Sequence, residues 1–504
     1  MPDSTQSTRS KILSRPFYLL LLPAFFMLHN TNKVFGFISI LQVALFAVAV
    51  IAIQLAVYWI VRLFSKTRQF AAATSFVLLF AILYFGPLHD FAKINVAFLS
   101  RYIVFLPLLS VFILVAVAIL KTNRIRTFAG YANVILISLV AFESVKLLSN
   151  IISPPANTLQ HTPVCGAYKP TQSQQDRPDI FVLMFDEYTS NEELKKNWGF
   201  DNSAISGWLR ERGFFVADSS FSNYNSTPFS ISSFFNMNYI DPEVTRNRER
   251  RHILQAVQSI SENETTCILK KEGYRLVFIA PFEKHGEDAQ LHPEFAELAW
   301  KQFSAHTIFS RLNSDIMWNF GLYRPLIPPV SAEGNFIPTT VSLPDKVEEI
   351  KRTRVLLEQA IEGNGDEQPK FVYLHSMVTH PPHVVDSTGR LNASMPSDAG
   401  GRFRSYPYQV EYANDMIRSA VDSILAKGKR KKVIMVLGDH GYRSQDIPAG
   451  REEFANFFAV YFSDRHSGQA YATISPVNAF RLVFNHYFYQ NLPLLKDTSI
   501  PIKY

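Results

Sequence analysis

The chain has 504 residues, with 50 Lys and Arg against 43 Asp and Glu and a formal net charge of +7 at pH 7. That length is too great for one ordinary domain and allows at least one large core. The positive excess lies in residues 1–150, which hold 13 Lys/Arg and three acids (Asp3, Asp90, Glu143); 37 basic and 40 acidic residues remain for 151–504, which removes the usual electrostatic case for nucleic-acid binding.

Residues 1–150 read as a transmembrane domain of about five helices, at about 16–35, 37–61, 69–88, 102–120 and 128–149, each near the ~20 residues that cross a bilayer. The first has a short clean run, Pro16 to Leu28, before "HNTNK" at 29–33. It reads as a retained span because no small-residue cleavage site follows it. Arg62, Lys66 and Arg68 share one short loop, and Lys121, Arg124 and Arg126 another. The loop between those two, with Lys93, Arg101 and Asp90, is poorer in positive charge, so the two richer loops are expected in the cytoplasm and everything after residue 150 outside it. Both cysteines, Cys165 and Cys267, then lie on the outer side, where a bridge is permitted and two free thiols are equally compatible with the sequence.

Residues 153–178, "SPPANTLQHTPVCGAYKPTQSQQDRP", are rich in Pro, Ser, Thr and Gln, which makes 151–178 a linker and 179–504 an extracytoplasmic domain. Continuous apolar runs at 179–187 ("DIFVLMFDE"), 274–281 ("YRLVFIAP"), 370–376 ("KFVYLHS") and 431–441 ("KKVIMVLGDHG") read as buried parallel strands. Between the last two, Val410, Ala413, Ile417, Val421 and Ile424 recur at helical spacing over 408–428. Strands alternating with helices predict an α/β domain with a mainly parallel central sheet, whose ligands gather beyond the strands' carboxyl ends. The Pro-interrupted stretch 282–344 is less regular, and its aromatic group Trp318, Phe320 and Tyr323 is expected in the domain core.

Three places in this pattern carry chemistry. Asp186 ends the first strand, Thr227 opens the helical stretch "NYNSTPFSISSFFN" (223–236), and Asp439 and His440 follow the last run. Two carboxylates, an imidazole and a hydroxyl form a mixed oxygen and nitrogen set suited to one divalent ion such as Zn, Mn or Mg. Singly, an acid at a strand end is a common turn or cap residue; the three termini together are what point to a metal.

In order, "FVLMFDEY", "NSTPFSISSFFN", "FVYLHSMVTHPP" and "VIMVLGDHGYR" resemble the sulfatase and alkaline phosphatase superfamily over roughly 178–490. With the N-terminal spans, the layout is most similar to the membrane-anchored phosphotransferase branch, which includes lipoteichoic acid synthase and the phosphoethanolamine transferases. The closing "FANFFAVYFSD" and "ISPVNAFRLVFNHYF" are similar to the tail of bacterial membrane sulfatase-like proteins. The resemblance implies an alkaline phosphatase/sulfatase-like fold with Thr227 as nucleophile at a helix amino end, followed by Ser230, Phe234 and Phe235 at the family spacing. It implies metal ligation by Asp186, Thr227, Asp439 and His440, with Glu187 as a possible extra ligand, and His380 facing the leaving group. Arg443 is a candidate phosphate clamp through its planar fork. His375 reads as structural and His383 as a loop residue; His466 and His486 are poorly placed for a second metal, so one ion is expected.

A rival register starts at Ser226, where sulfatases carry a residue oxidised to an aldehyde, but Ser230 stands where that motif requires Arg. Threonine cannot become that aldehyde, whereas it can carry a phosphoryl group. The resemblance therefore implies transfer of a phosphoethanolamine- or phosphoglycerol-type headgroup from a membrane phospholipid to an envelope glycan or lipid, through a phosphothreonine. The competing readings are a sulfatase or phosphodiesterase that hydrolyses, and an inactive membrane scaffold. The implied location is the bacterial inner membrane, multi-pass, with the catalytic domain periplasmic or extracellular.

Overall fold

A computed structural model describes residues 14–121, 125–153, 164–168, 170, 177–241, 250–282, 290–291, 296–315, 343–362, 368–391, 404–443, 450–464 and 470–502. The chain divides into two compact units, Met1–Ala156 with Ala296–Thr340, and Asn157–Phe295 with Val341–Tyr504.

In the first unit, helices Ile40–Phe64, Tyr102–Leu120 and Ile125–Ile152 are long and apolar enough to cross a membrane. Arg68–Leu83 and Phe85–Asn95 pass that test only as a pair, bent by 61°. Tyr18–Lys33 spans 16 residues, about 24 Å at 1.5 Å per residue, short for a bilayer crossing. Its polar end is occupied: His29 Nδ1 lies 2.6 Å from Glu143 Oε1, and Asn32 Nδ2 donates to Glu143 Oε2 at 2.7 Å. These contacts satisfy a carboxylate that would be costly in an apolar helix.

Residues 296–315 were expected within the 179–504 domain, but they group with the first unit. Their rings and charges give the reason: Trp300 and Phe303 pack edge-on against Phe46, Arg311 pairs with Asp90, and Tyr102 Oη donates to Asp315 Oδ2 at 2.6 Å. Trp318, Phe320 and Tyr323 lie outside the described residues.

The second unit is built on a six-stranded sheet in the order β2-β6-β5-β1-β4-β3. The strands are β1 Asp179–Phe185, β2 Phe215–Val216, β3 Arg275–Ile279, β4 Lys370–Ser376, β5 Lys432–Gly438 and β6 Phe458–Phe462. The four strands read from the sequence form the parallel part, and β2 and β6 add an antiparallel edge. Side-chain alternation sorts the central strands onto two cores: Phe181, Leu183, Phe185, Val372, Leu374, Ile434 and Val436 on one face, and Ile180, Val182, Met184, Phe371, Tyr373, Val433 and Met435 on the other. Helix Tyr406–Ala426 covers the first face through Val410, Ala413, Ile417, Val421 and Ile424. Helix Thr227–Asn236 covers the second through Ile231, Phe234 and Phe235.

Part of the expected linker is packed. Cys165 and Tyr168 are buried in the second core, and Cys165 is bridged to Cys267 with the Cα atoms 6.1 Å apart. This bond closes a loop over a sequence separation of 102 residues, and in the chain-entropy account such long loops gain the most. Cys267→Ser is expected to lower the unfolding free energy of this unit by roughly 2–4 kcal/mol, measured by denaturant titration of the oxidised protein.

Candidate metal centre and active site

The register of the three central strands puts the site together. Phe185 pairs with Ser376 on one side and Gly438 on the other, so β1, β4 and β5 end at the same level. The next residue of β1 is Asp186 and the next of β5 is Asp439, so parallel pairing alone sets the two carboxylates side by side. The chains then leave the sheet at close quarters. A Cβ on Gly438 would meet Tyr188 O at 2.2 Å, and one on Gly441 would meet Glu452 O at 2.1 Å. Both obstacles are backbone and cannot swing away. Gly441→Ala is therefore expected to displace the Asp439–His440 turn and weaken divalent-ion binding at least tenfold, read by chelator competition, with a lowered melting temperature.

Thr227 reaches the same place from the other core. Its helix begins after Ser226 in extended conformation (φ −143°, ψ 122°), carries Pro228 in its first turn, and is buried along its whole length. A helix start presents free N–H groups and partial positive charge to an anion. Ser230 Oγ donates to Asp439 O and ties this helix to the end of β5.

Thr227 Oγ1 lies 3.3 Å from Asp186 Oδ2 and 3.1 Å from His440 Nε2. His440 Nε2 is in turn 3.4 Å from Asp439 Oδ2 and 3.8 Å from Asp186 Oδ1. The four expected ligands therefore converge. His440 Nδ1 lies 2.7 Å from Gly441 O, an acceptor only, so the proton belongs on Nδ1 and Nε2 turns its lone pair into the cluster. Asp439 Oδ1 accepts from the Glu187 and His440 backbone N–H groups at 3.0 and 2.8 Å, which leaves Oδ2 inward. Among the described residues, Asp186 Oδ1 and Asp439 Oδ2 are buried without a hydrogen-bond partner. Lone pairs thus outnumber donors in a dry space, a deficit that a cation removes. The ligand atoms of Asp186, Asp439 and His440 lie within 4.8 Å of one another, and the residues fit a divalent metal.

The electrostatics agree with that fit. Burial, joined by the Asp186 charge, pushes the Asp439 carboxyl up. Burial also works to raise Asp186, but nearby His380 and the hydrogen bond from His375 outweigh it and hold the group below the ordinary carboxylate range. His440 is pushed down to about 3 by burial and then by the Arg443 charge, so it is neutral, the state in which imidazole ligates.

The remaining expected residues surround this cluster. Glu187 is buried in left-handed conformation (φ 60°), which aims its N–H at Asp439 Oδ1. Its Oε1 accepts from Arg443 Nε at 2.9 Å, so in this structure Arg443 is an ion-pair partner of Glu187. His380 shares a second grouping of potential ligand atoms with Asp186 and Glu187, also within 4.8 Å. His383 is buried, 3.0 Å from Ser405 Oγ through Nδ1, and pushed down to about 3 by burial and then by His380. His486 pairs with Asp464 at 2.6 Å, and His466 lies outside the described residues.

His375 reads from the sequence as structural, and in the fold its Nε2 is 3.3 Å from Asp186 Oδ2. Strand position carries the signal: His375 pairs with Met184, two residues before Asp186.

A family model described as Sulfatase matches residues 219–480, more than half of the chain. No curated protein matches the sequence. Among solved structures, the chain is similar to the integral membrane lipooligosaccharide phosphoethanolamine transferase A (EptA) of Neisseria meningitidis, at 12% identity and TM-score 0.38 over 92% of this chain and 95% of that one. It is similar to the C-terminal periplasmic domain of EptC of Escherichia coli in complex with Zn, at 11% identity and TM-score 0.38, covering 63% and 84%. The periplasmic domain of the phosphoethanolamine transferase EptC of Campylobacter jejuni is a third, at 11% identity and TM-score 0.36, covering 62% and 90%.

Proposed function

The chain belongs to the sulfatase family, enzymes of the alkaline phosphatase superfamily, and from that premise we propose that it moves a phosphoryl-linked headgroup, of phosphoethanolamine or phosphoglycerol type, from a membrane phospholipid to an envelope glycan or lipid. The site would lie on the outer face of a bacterial inner membrane. One observation carries the reading: a threonine hydroxyl, at the start of a buried helix, sits 3.1 Å from His440 Nε2 and 3.3 Å from Asp186 Oδ2.

Asp186, Asp439, His440 and Thr227 would hold a divalent ion, zinc, manganese or magnesium. When bound, that ion supplies positive charge that weakens the hydroxyl's hold on its proton and offsets charge on the phosphoryl oxygens. Thr227 Oγ1 gives its proton to Asp186 Oδ2, 3.3 Å away, and attacks phosphorus; a P–O bond forms, the bond to the diacylglycerol oxygen breaks, and the proton returns to Thr227 Oγ1 when the group moves on. His380 gives the departing oxygen its proton. The acceptor hydroxyl then takes the group from Thr227 in the reverse sense, returning its proton to His380. Arg443, beside Glu187, would face the phosphate in both halves. The Thr227 helix end presents N–H dipoles to the charge that develops on the transferring group.

The test is to quench the purified protein with headgroup-labelled phospholipid and map the modified peptide. A label on Thr227 that moves on to a lipid or glycan supports transfer, and a label released to water supports the phosphodiesterase reading. An aldehyde at Ser226 would replace both with sulfatase chemistry.

A further inference from the structure

His375 and Tyr373 lie on β4, fully buried beneath the site. His375 Nε2 is 3.3 Å from Asp186 Oδ2, the same oxygen that Thr227 approaches, and His375 Nδ1 is 3.0 Å from Tyr373 Oη. Tyr373 Oη also lies 3.2 Å from Met184 Sδ. We propose that His375, fixed by Tyr373, is a positioning residue that holds Asp186 Oδ2 toward Thr227 and leaves Oδ1 for the divalent ion. The inference rests on the metal-centred reading above.

The tautomer follows from the partners. Asp186 Oδ2 only accepts while ionised, so a buried imidazole nitrogen facing it must carry the hydrogen. Nε2 is therefore the donor and Nδ1 the acceptor, and the Tyr373 hydroxyl must give its hydrogen to Nδ1. The opposite arrangement would turn the Tyr373 hydrogen to the thioether, a weak acceptor, and set the Nε2 lone pair against a carboxylate oxygen in a dry site. With a neutral imidazole, the Tyr373–His375–Asp186 chain thus has one satisfied proton arrangement.

That arrangement explains an asymmetry in Asp186. Its Oδ2 has two polar neighbours, while among the described residues its Oδ1 has no hydrogen-bond partner. The backbone is fixed as well, since Asp186 N donates to Ser376 O at 3.0 Å and Thr379 Oγ1 donates to Asp186 O. With the main chain held at both ends, rotation of the carboxylate is the remaining freedom, and His375 is placed to remove it. Groups that orient a ligand in this way typically change metal affinity by about 10–100-fold when lost.

The experiment is Zn²⁺ titration of the full chain in detergent against a chromophoric chelator, with melting temperatures recorded in parallel. His375→Leu should bind Zn²⁺ at least tenfold more weakly. His375→Gln, whose amide can still donate to Asp186, should recover to within a few-fold of the unmodified chain. Tyr373→Phe should bind a few-fold more weakly, and ¹⁵N shifts should show His375 changing from the Nε2–H tautomer to a mixture. An apolar replacement that merely disturbed packing would lower the melting temperature without rescue by Gln. Equal Zn²⁺ affinity in the folded His375→Leu chain and the unmodified chain would overturn the inference and leave the metal centre standing. Absence of Zn²⁺ binding by the unmodified chain would overturn both. If His375→Leu does not fold, the ordering of His375→Gln and Tyr373→Phe decides: no affinity change and no tautomer change in Tyr373→Phe would overturn the assignment.

Discussion

Thr227→Ala is expected to abolish headgroup transfer, by at least about three orders of magnitude, because removing a nucleophile that acts as one unit with its neighbours typically costs that or more. The Thr227 side chain is small and lies at a helix start whose core contacts come from Ile231, Phe234 and Phe235, so the variant should still fold. Thr227→Ser keeps the hydroxyl and should retain measurable transfer with label on residue 227. Ser226→Ala is the control. If Ser226 were the reactive residue, as in the rival register, it would be the damaging change and Thr227→Ala the tolerated one. Steady-state rates on phospholipid vesicles, combined with peptide mapping, separate these outcomes.

The contrast between the two registers shows which parts of the site were legible in the sequence. Asp186, Thr227, Asp439 and His440, which the fold brings together, stand out in the sequence because each sits at a change of pattern, where an apolar run stops at a polar residue, and strand ends and helix starts are where α/β domains place chemistry. The four parallel strands were legible for a related reason: buried on both faces, they are continuous runs such as "DIFVLMF" and "KVIMVLG". Other elements left weaker traces. Strand β2 is two residues long, too short for any periodicity, and β6 stands out in the sequence only as part of a family-like tail. His375 reads as structural because it lies inside a strand, where a histidine is a core residue, and its contact with Asp186 depends on the β1–β4 register. The Arg443–Glu187 pair joins residues 256 positions apart and could not be read from local pattern. The grouping of 296–315 with the first unit depends on Trp300, Phe303 and Arg311 finding partners near residues 46 and 90. Nothing in those residues by themselves distinguishes that from burial in the catalytic core.

The most discriminating result concerns stability, where Asp439→Asn should reverse sign with the metal. Without an ion, the Asp186 and Asp439 oxygens face each other within 4.8 Å in a site shielded from water. Burial and the Asp186 charge push the Asp439 carboxyl up, so near neutral pH the metal-free fold relieves the repulsion by holding a proton that the unfolded chain does not, which costs stability. Asparagine removes the repulsion and keeps the shape. Its Oδ1 still accepts from the Glu187 and His440 backbone N–H groups, and its Nδ2 takes the place of Oδ2, 3.4 Å from the His440 Nε2 lone pair, to which it can donate. The metal-free Asp439→Asn chain is therefore expected to melt above the metal-free unmodified chain. Saturating Zn²⁺ should invert the order, because an ion at 100 times its dissociation constant stabilises the form that binds it by about 2.7 kcal/mol, and the variant has exchanged a ligand oxygen for an N–H donor. Differential scanning fluorimetry of both chains, after chelation and after Zn²⁺ addition, gives all four values. A variant less stable than the unmodified chain in both conditions would mean that Asp439 is a fold-supporting carboxylate, and the metal centre would have to be sought elsewhere.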